Sequence, residues 1–474
     1  MLFRRFFHDE LAQTSYLLAC QHARVALIVD PNRDIDRYID AAAGEGLRIT
    51  HVTETHIHAD FVSGARDLAR ETGAQLYLSG AGGPDWAYAF ATEAKAKLLE
   101  DGSNFMVGDV RIDALHTPGH TPEHMTFLVT DTAAGTVPMG ALTGDFIFVS
   151  DVGRPDLLEI AAGVAGTKEV SARDLFKSLQ KFKALPDYLQ LWPGHGAGSA
   201  CGKALGAMPQ STLGYERIFN WGLAEPDENV FVRKVLSGQP EPPAYFAVMK
   251  RVNRDGPPPR TLVPLPRISA RDVAAKLHEG APVVDTRPAA EFAERHAAST
   301  VNIPHTKSFL NWAGALLPYD RDVFLIVPDG DQQSIIDELS LIGLNRIGGV
   351  YGLRSLADLE SAGVEMRATP QVSIQALNQR AGNGQVIVDV RAPDEWEHGH
   401  IPGAVHIPLG SLQSRLDEVP KNADIAVHCQ GGNRSAIAAS ILQKNGFAVS
   451  NITGGFAEWE RYAGQVERSG SPGG

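Results

Sequence analysis

The second half of the chain repeats itself. Asp285-Thr286-Arg287, Glu291-Phe292, His296 and Val301-Asn302-Ile303-Pro304 return, in the same order and at the same spacing, as Asp389-Val390-Arg391, Glu395-Trp396, His400 and Val405-His406-Ile407-Pro408. A match of this kind means one folding unit used twice, because each landmark must meet the same neighbours in both copies. Each copy reads as a short apolar strand ending in aspartate (282–285 and 386–389), a helix, a second apolar strand (323–327 and 425–428), then a loop and a helix. That rhythm predicts a parallel sheet covered by helices. Thr369-Pro370 separates the copies.

Ahead of the repeat, Arg254-Asp255-Gly256-Pro257-Pro258-Pro259 shifts the composition abruptly, and proline continues at Pro264 and Pro266. A run like this favours an extended connector over a core element. We therefore expect a first domain over 1–250, a linker over 251–267, the two copies over 268–367 and 368–466, and a disordered tail over 467–474. The full 474 residues suit about three domains. Within the first domain, residues 15–30 read as strand, turn and strand, 35–43 as a helix closed by Gly44 and Gly46, and 48–54 as a strand. That strand delivers His56 to a loop at its carboxyl end, where α/β folds place their chemistry.

Hydrophobic content of 43% with 21% charged residues is that of a globular protein, and the formal charge of -13 without a Lys/Arg cluster argues against nucleic-acid binding. Three scattered cysteines, Cys20, Cys201 and Cys429, do not make a disulfide framework and suit a reducing compartment. The start, Met1-Leu2-Phe3-Arg4-Arg5-Phe6-Phe7, gives way at once to His8-Asp9-Glu10, and no later stretch is long enough to span a bilayer. The expectation is a cytoplasmic protein with no membrane partner.

Two groups of residues carry chemistry. The first is Thr55-His56-Ile57-His58-Ala59-Asp60, followed by His120 in Thr117-Pro118-Gly119-His120, Asp145 in Thr143-Gly144-Asp145 and His195 in Pro193-Gly194-His195-Gly196. A lone histidine is usually structural, but imidazoles and carboxylates recurring on glycine-flanked turns point to a metal site. His51, His116 and His124 lack that context and read as structural.

These motifs give residues 1 to about 245 a specific resemblance. They resemble a metallo-β-lactamase-fold domain of the glyoxalase II and persulfide dioxygenase branch, an αββα sandwich with metal ligands on loops at one edge. The family's usual motif is Thr-His-x-His-x-Asp-His, and Phe61 stands here in place of the final histidine. Phenylalanine cannot bind a metal, so a single-metal centre is expected rather than a binuclear one. The resemblance implies one mononuclear Fe(II) on His56, His120 and Asp145, with His58, Asp60 and His195 around the ligands or facing the substrate. Two imidazoles and a carboxylate with open positions suit Fe(II) oxygenases, although the motif itself admits zinc. The resemblance extends to Gly153-Arg154-Pro155-Asp156, where Arg154 is a candidate for holding a carboxylate of a thiol carrier or for a surface ion pair. It extends also to the segment around Cys201, a candidate for contacting or relaying sulfur or for a buried structural thiol.

The second group is Cys429-Gln430-Gly431-Gly432-Asn433-Arg434, between an apolar strand and the helix that Ser435 opens. Amides of Gly431, Gly432 and their neighbours can converge on the sulfur with the positive end of the helix behind them, which favours a thiolate. Arg434 adds a fixed charge able to bind an oxyanion such as thiosulfate or sulfite. With Asp389-Val390-Arg391 and His400-Ile401-Pro402-Gly403-Ala404, residues from about 370 to 465 resemble a rhodanese sulfurtransferase domain. A phosphatase loop would hold five residues between cysteine and arginine, and here there are four, from Gln430 to Asn433. Asp389, Arg391 and His400 read as scaffold. The first copy has Val327-Pro328-Asp329-Gly330-Asp331-Gln332 at the equivalent loop, and we expect Asp329 at the cysteine's place. That copy should be an inactive rhodanese-like module that spaces domains or builds an oligomer interface.

The fold expectation is thus α/β and α+β multidomain, an αββα metallo-β-lactamase fold followed by two α/β rhodanese-like domains with parallel sheets. The functional expectation implied by the resemblance is an Fe(II) dioxygenase that oxidises a low-molecular-weight persulfide with O2 to sulfite and thiol, coupled through Cys429 to formation or consumption of thiosulfate. The partners would be a thiol carrier such as glutathione or coenzyme A, O2, sulfite or thiosulfate, and further copies of the chain. The rivals are a metal-dependent thioester hydrolase fused to a sulfurtransferase, and a non-enzymatic sulfur carrier.

Overall fold

The computed structural model describes all residues except 158, 160–165, 200, 204, 240–241, 244, 261–265, 381–384, 463–464 and 469–474, and the side chains of 378–380. The chain divides into two compact units. The first is Met1–Leu262 with Ser340–Gly343, and the second is Val263–Leu339 with Leu344–Gly474.

Unit one is built on two six-stranded sheets. One runs in simple order through β1 (Leu2–His8), β2 (Gln13–Cys20), β3 (Val25–Val29), β4 (Arg48–Thr53), β5 (Gln75–Ser79) and β6 (Lys97–Leu99). The other holds β7 (Asn104–Val107), β8 (Val110–His116), β9 (Met125–Asp131), β10 (Gly140–Gly144), β11 (Gln190–Pro193) and β12 (Ser211–Thr212), again as sequence neighbours. Strand β2 shows why the sheets stack: all eight of its residues are buried. Tyr16, Leu18 and Cys20 enter one core with Leu27, Phe105, Ile112, Phe127, Leu142 and Trp192, from both sheets. Leu17 and Ala19 point the other way, toward Tyr38, Ala42, Ala65 and Leu68 of the helices Asp36–Gly44 and Ala65–Thr72. The second sheet is covered in turn by Leu175, Leu179 and Phe182 of the helix Lys168–Phe182 and Phe231 and Val235 of Glu228–Leu236. Alternation along strands that are buried on both faces thus produces four layers, helix, sheet, sheet, helix.

The expected linker differs from the sequence reading. Its first residues continue the helix Phe246–Asp255, which ends where Gly256 takes φ +100° and three prolines follow. Beyond it the Pro257 and Pro258 carbonyls accept from Arg66 and Arg33, and Asp67 accepts from the Arg260 amide. Residues 257–260 are therefore held against unit one. Pro264 lies outside the described residues.

In unit two the first copy contains β13 (Val283–Asp285), β14 (His296–Ala297), β15 (Val301–Asn302), β16 (Val323–Pro328), β17 (Ile347–Leu353) and β18 (Met366–Arg367). The second contains β19 (Gln371–Val372), β20 (Val386–Asp389), β21 (Val405–His406), β22 (Ile425–His428) and β23 (Val449–Ile452). Their sheets run β15-β13-β16-β17 and β21-β20-β22-β23-β19, the same parallel order with one strand added; β14 and β18 form a separate pair. The copies touch within the unit, where Ser440 of the helix Asn433–Lys444 accepts from the buried Asn302 amide at 2.9 Å. The tail reading is corrected at its start: Glu467 pairs with His400 through two backbone hydrogen bonds, while 469–474 lie outside the described residues. Among the described residues no helix is long and apolar enough to cross a membrane.

Candidate metal centre and cysteine loop

The loop after β4 is pinned before any ligand is considered. Asp30 accepts from the Thr55 amide at 2.6 Å and from its hydroxyl at 3.0 Å, Glu123 accepts from the Ile57 amide at 2.7 Å, and Asn253 donates to the carbonyls of His58 and Phe61. Histidines two apart on this loop diverge. His56 turns inward, its Nδ1 on Thr55 Oγ1 and its Nε2 3.9 Å from Asp145 Oδ2. His58 faces Asp30 Oδ1 at 3.2 Å instead.

His120, on the loop after β8, donates Nδ1–H to the Arg154 carbonyl at 3.0 Å, which leaves the Nε2 lone pair facing Asp145 Oδ2 at 3.5 Å. Asp145 follows β10 and is placed by backbone crowding. A Cβ on Gly153 would stand 1.9 Å from the Asp145 carbonyl oxygen, and one on Gly194 would stand 2.7 Å from its Oδ1. The ligating atoms of His56, His120 and Asp145 lie within 4.8 Å of one another, all buried. By distance and angle, neither oxygen of Asp145 has a hydrogen-bond partner among the described residues. Two buried imidazoles and a carboxylate without hydrogen bonds, all aimed at one point, fit a divalent metal.

Electrostatics separate ligands from supports. Burial, reinforced by neighbouring histidines, holds His56 well below the ordinary histidine range, and burial lowers His120, so both rings offer lone pairs. Burial opposes charge on His58 as well, but Asp30, Glu54 and Asp60 outweigh it and push that ring up to about 9. Burial pushes the Glu54 and Glu123 carboxyls up to about 7, and raises Asp60. Phe61 is fully buried with its ring 4.4 Å from that of His58.

A second triad adjoins the first. Asp60, His195 and Cys201 bring ligand atoms within 4.8 Å of one another, again all buried. His195 Nδ1 donates to the Ala12 carbonyl, and its Nε2 faces Asp60 Oδ2 at 3.3 Å and Asp145 Oδ1 at 3.5 Å.

The surface placement of Arg154 requires correction: its guanidinium is fully buried and bidentate on Asp156, at 2.9 and 2.6 Å. Its carbonyl fixes His120. His124 is structural with a consequence, since its Nε2 accepts from the Asp145 amide at 3.2 Å and Thr117 holds its Nδ1. His51 stacks between Tyr77 and Phe105, and His116 meets the Pro122 carbonyl. Sequence reasoning missed Asp30, Glu123 and Asn253. A polar residue closing an apolar strand, as Asp30 closes β3, was the available signal.

In unit two, Cys429 follows the wholly buried β22 and is itself buried. The Gly432 amide donates to its Sγ at 3.1 Å, and the Ser435 hydroxyl lies 3.6 Å away. Gly432, at φ +108°, turns the chain into the helix Asn433–Lys444. Gly455 is required by contact, because a Cβ there would stand 2.3 Å from the Cys429 carbonyl oxygen. Arg434, on the first turn, pairs with both carboxylate oxygens of Glu395, which also caps the Ala392 amide. The Arg391 guanidinium is buried on Asp389, over the Phe456 ring, and reaches Gln430 of the loop at 3.3 Å.

Register corrects the first copy. Asp285 pairs with Ile326 as Asp389 pairs with His428, so Val327, not Asp329, stands at the place of Cys429. Asp329 is two residues further on, bonded to Gln332 and Arg354.

Comparison with known proteins agrees with this geometry. The metallo-beta-lactamase superfamily model matches residues 8–195, and the rhodanese-like domain model matches 373–462. A solved metallo-beta-lactamase from Staphylococcus aureus is 41% identical, with a TM-score of 0.66, over 74% of this chain and 99% of that one. The chain belongs to the metallo-beta-lactamase superfamily. A protein described as a probable polyketide biosynthesis zinc-dependent hydrolase, from Bacillus velezensis, is 28% identical over 44% of this chain and 84% of its own. A sulfurtransferase of Allochromatium vinosum is 33% identical over 19% of this chain and 89% of its own. A metallo-beta-lactamase-fold domain followed by a rhodanese-like domain thus joins a candidate metal centre to a loop of sulfur-transfer type in one superfamily member.

Proposed function

We propose that the protein is a persulfide dioxygenase fused to a sulfurtransferase, with one Fe(II) per chain held by His56, His120 and Asp145. The observation that carries this reading is a two-histidine, one-carboxylate set beside a buried Phe61, which offers no ligand, in a chain that also holds a cysteine loop. Bound there, iron would supply positions at which a sulfur anion and dioxygen can meet. The overall reaction is RSSH + O2 + H2O giving RSH, HSO3⁻ and H⁺, the terminal sulfur being oxidised and dioxygen reduced.

The chain's own residues set the conditions for it. The Arg154 carbonyl and Thr55 hydroxyl fix the two imidazoles, and His124 fixes the Asp145 backbone. Burial of the whole cluster keeps bulk water from it. In unit two, Cys429 attacks the outer sulfur of a second RSSH, releasing RSH and leaving a cysteine persulfide beside the Gly432 amide. Sulfite then takes that sulfur, giving thiosulfate and restoring Cys429. Arg434 would meet the anion once it gives up part of its pairing with Glu395. The first copy is read as an inactive rhodanese-like module, Val327 having no sulfur to offer.

Oxygen-electrode assays with glutathione and coenzyme A persulfides, combined with metal analysis, test this. Persulfide-dependent uptake at one iron per chain is expected. Thioester cleavage by a two-zinc protein would favour the hydrolase reading, and neither activity would leave a sulfur carrier.

A further inference from the structure

We propose that the first copy of the repeat is a positioning element for the Cys429 loop, acting through Ser440 and Gln443 of the helix Asn433–Lys444. This deepens the sulfur-transfer reading and rests on it only for its activity measurement.

A difference between the two copies points to that helix. A helix lying on one side of a sheet ordinarily keeps a face toward water, and the counterpart in the first copy, Gln332–Leu341, does so with exposed Gln333, Ser334 and Asp337. Asn433–Lys444 has no such face along its middle, because every residue from 437 to 442 is buried. At about 3.6 residues per turn, that run covers the whole circumference. One side lies on β22 and β23 of its own sheet, and the other meets β15 and the helix Ala289–Glu294 of the first copy.

Hydrogen bonds fix this seam. Strand β15 is an edge of its sheet, and since the Ile303 amide bonds back to Asp285, the Asn302 amide points out of that edge. It donates to Ser440 Oγ at 2.9 Å, and the same hydroxyl donates to the Ile437 carbonyl at 2.7 Å, so one side chain joins the strand to the helix backbone. Asn302 is itself anchored, its Nδ2 donating to the Asp285 and Arg287 carbonyls, both at 2.9 Å. On the last turn Gln443 accepts from the Thr369 hydroxyl at 2.9 Å and donates to the Ala368 carbonyl at 3.0 Å, while the Thr369 amide donates to Ala293 of the first copy.

The consequence lies at the other end of the helix. Cys429 is held by its strand and by the Phe456 amide, which donates to its carbonyl at 2.8 Å. The groups around the sulfur, the Gly432 amide and the Ser435 hydroxyl, ride instead on the start of the helix. Sulfur and its hydrogen bonds thus belong to two elements, and their alignment depends on where the helix lies along the sheet. A helix shifts as a unit, so a slip at Ser440 reaches Gly432. The first copy needs no sulfur chemistry for this role, which suits Val327 at the place of Cys429.

The test uses full-length Ser440→Ala and Gln443→Ala proteins. Two quantities are read: sulfur transfer from glutathione persulfide to sulfite, and backbone hydrogen exchange of residues 429–436 beside that of Ile425–His428. Each variant should lower kcat by about tenfold, the scale of a small misplacement at a reacting atom. Exchange should quicken at 429–436 and stay unchanged in Ile425–His428. General loosening would quicken both segments alike and overturn the proposal, as would parent-like kcat and exchange in both variants. Gln443 is half-buried, and its variant carries the test if Ser440→Ala fails to fold. A parent protein without sulfur transfer would sink the reading of Cys429, and hydrogen exchange would still decide whether the first copy holds the loop.

Discussion

The two sites of this protein are built in opposite ways. The metal centre is assembled from three loops, after β4, β8 and β10, and held by residues as distant as Asp30 and Asn253. The cysteine site is one turn between one strand and one helix, and most of its support comes from residues 389–456. Dispersed sites fail by degrees through their supports, whereas a compact loop fails at one residue. The duplicated module shows how local the second kind of site is. Both copies keep the buried arginine on its aspartate at 2.6 Å and an aromatic ring stacked on a histidine, at 3.8 Å for Phe292 and His296 and 3.6 Å for Trp396 and His400. They differ at the loop, where Val327 stands at the place of Cys429.

The largest predicted effect separates the sites outright. Cys429→Ser should lower sulfur transfer by about a thousandfold or more, the scale of losing a nucleophile, and leave persulfide-dependent oxygen uptake intact. Loss of both activities would break the comparison. A support of the dispersed site should give a graded loss: His124→Leu removes the acceptor for the Asp145 amide and should weaken metal binding by about 10- to 100-fold, measured by competition with a chelator. Unchanged affinity would mean that the strands alone position Asp145.

A smaller effect addresses the contact between copies. Ser440→Ala leaves the buried Asn302 amide without its acceptor and should cost about 1–3 kcal/mol, read from urea unfolding of the full chain. No change would show that the copies do not support each other through this bond.

The smallest is a pH trend in the metal-free protein. Glu54 and Glu123 titrate at about 7 in the fold against 4.5 ordinarily, so the folded chain keeps protons there that the unfolded chain releases. Their contribution to stability therefore falls as pH rises from about 4.5 to 7. His58, at about 9 against 6.5, contributes stability below 6.5 that is lost as pH rises through 9. Burial holds His56, His120 and His124 below the ordinary histidine range, which opposes this trend below about pH 6.5. Thermal midpoints should therefore drop between about pH 6.5 and 9, and Glu54→Gln should flatten the lower part of that slope.

The same contrast governs what could be read from sequence. The cysteine loop and the repeat were legible because their residues are close together and the spacing is itself the geometry. His56, His120 and Asp145 were legible through local glycine-flanked motifs and the resemblance they carry. Asn253 was not, since its bonds to the carbonyls of His58 and Phe61 span almost the whole first unit. The surface reading of Arg154 failed because sequence shows charge and not burial. Asp329 was taken for the cysteine's counterpart because the loop sequence does not display strand register, which selects Val327.

The central claim is that the first triad holds iron for persulfide oxidation, apart from the cysteine loop. The most direct measurement is oxygen consumption by iron-loaded Cys429→Ser protein, with and without glutathione persulfide, beside the same protein carrying Asp145→Ala. The account predicts persulfide-dependent uptake with sulfite accumulating in the first and neither in the second. Uptake that survives Asp145→Ala, or no uptake by the iron-loaded Cys429→Ser protein, would contradict it.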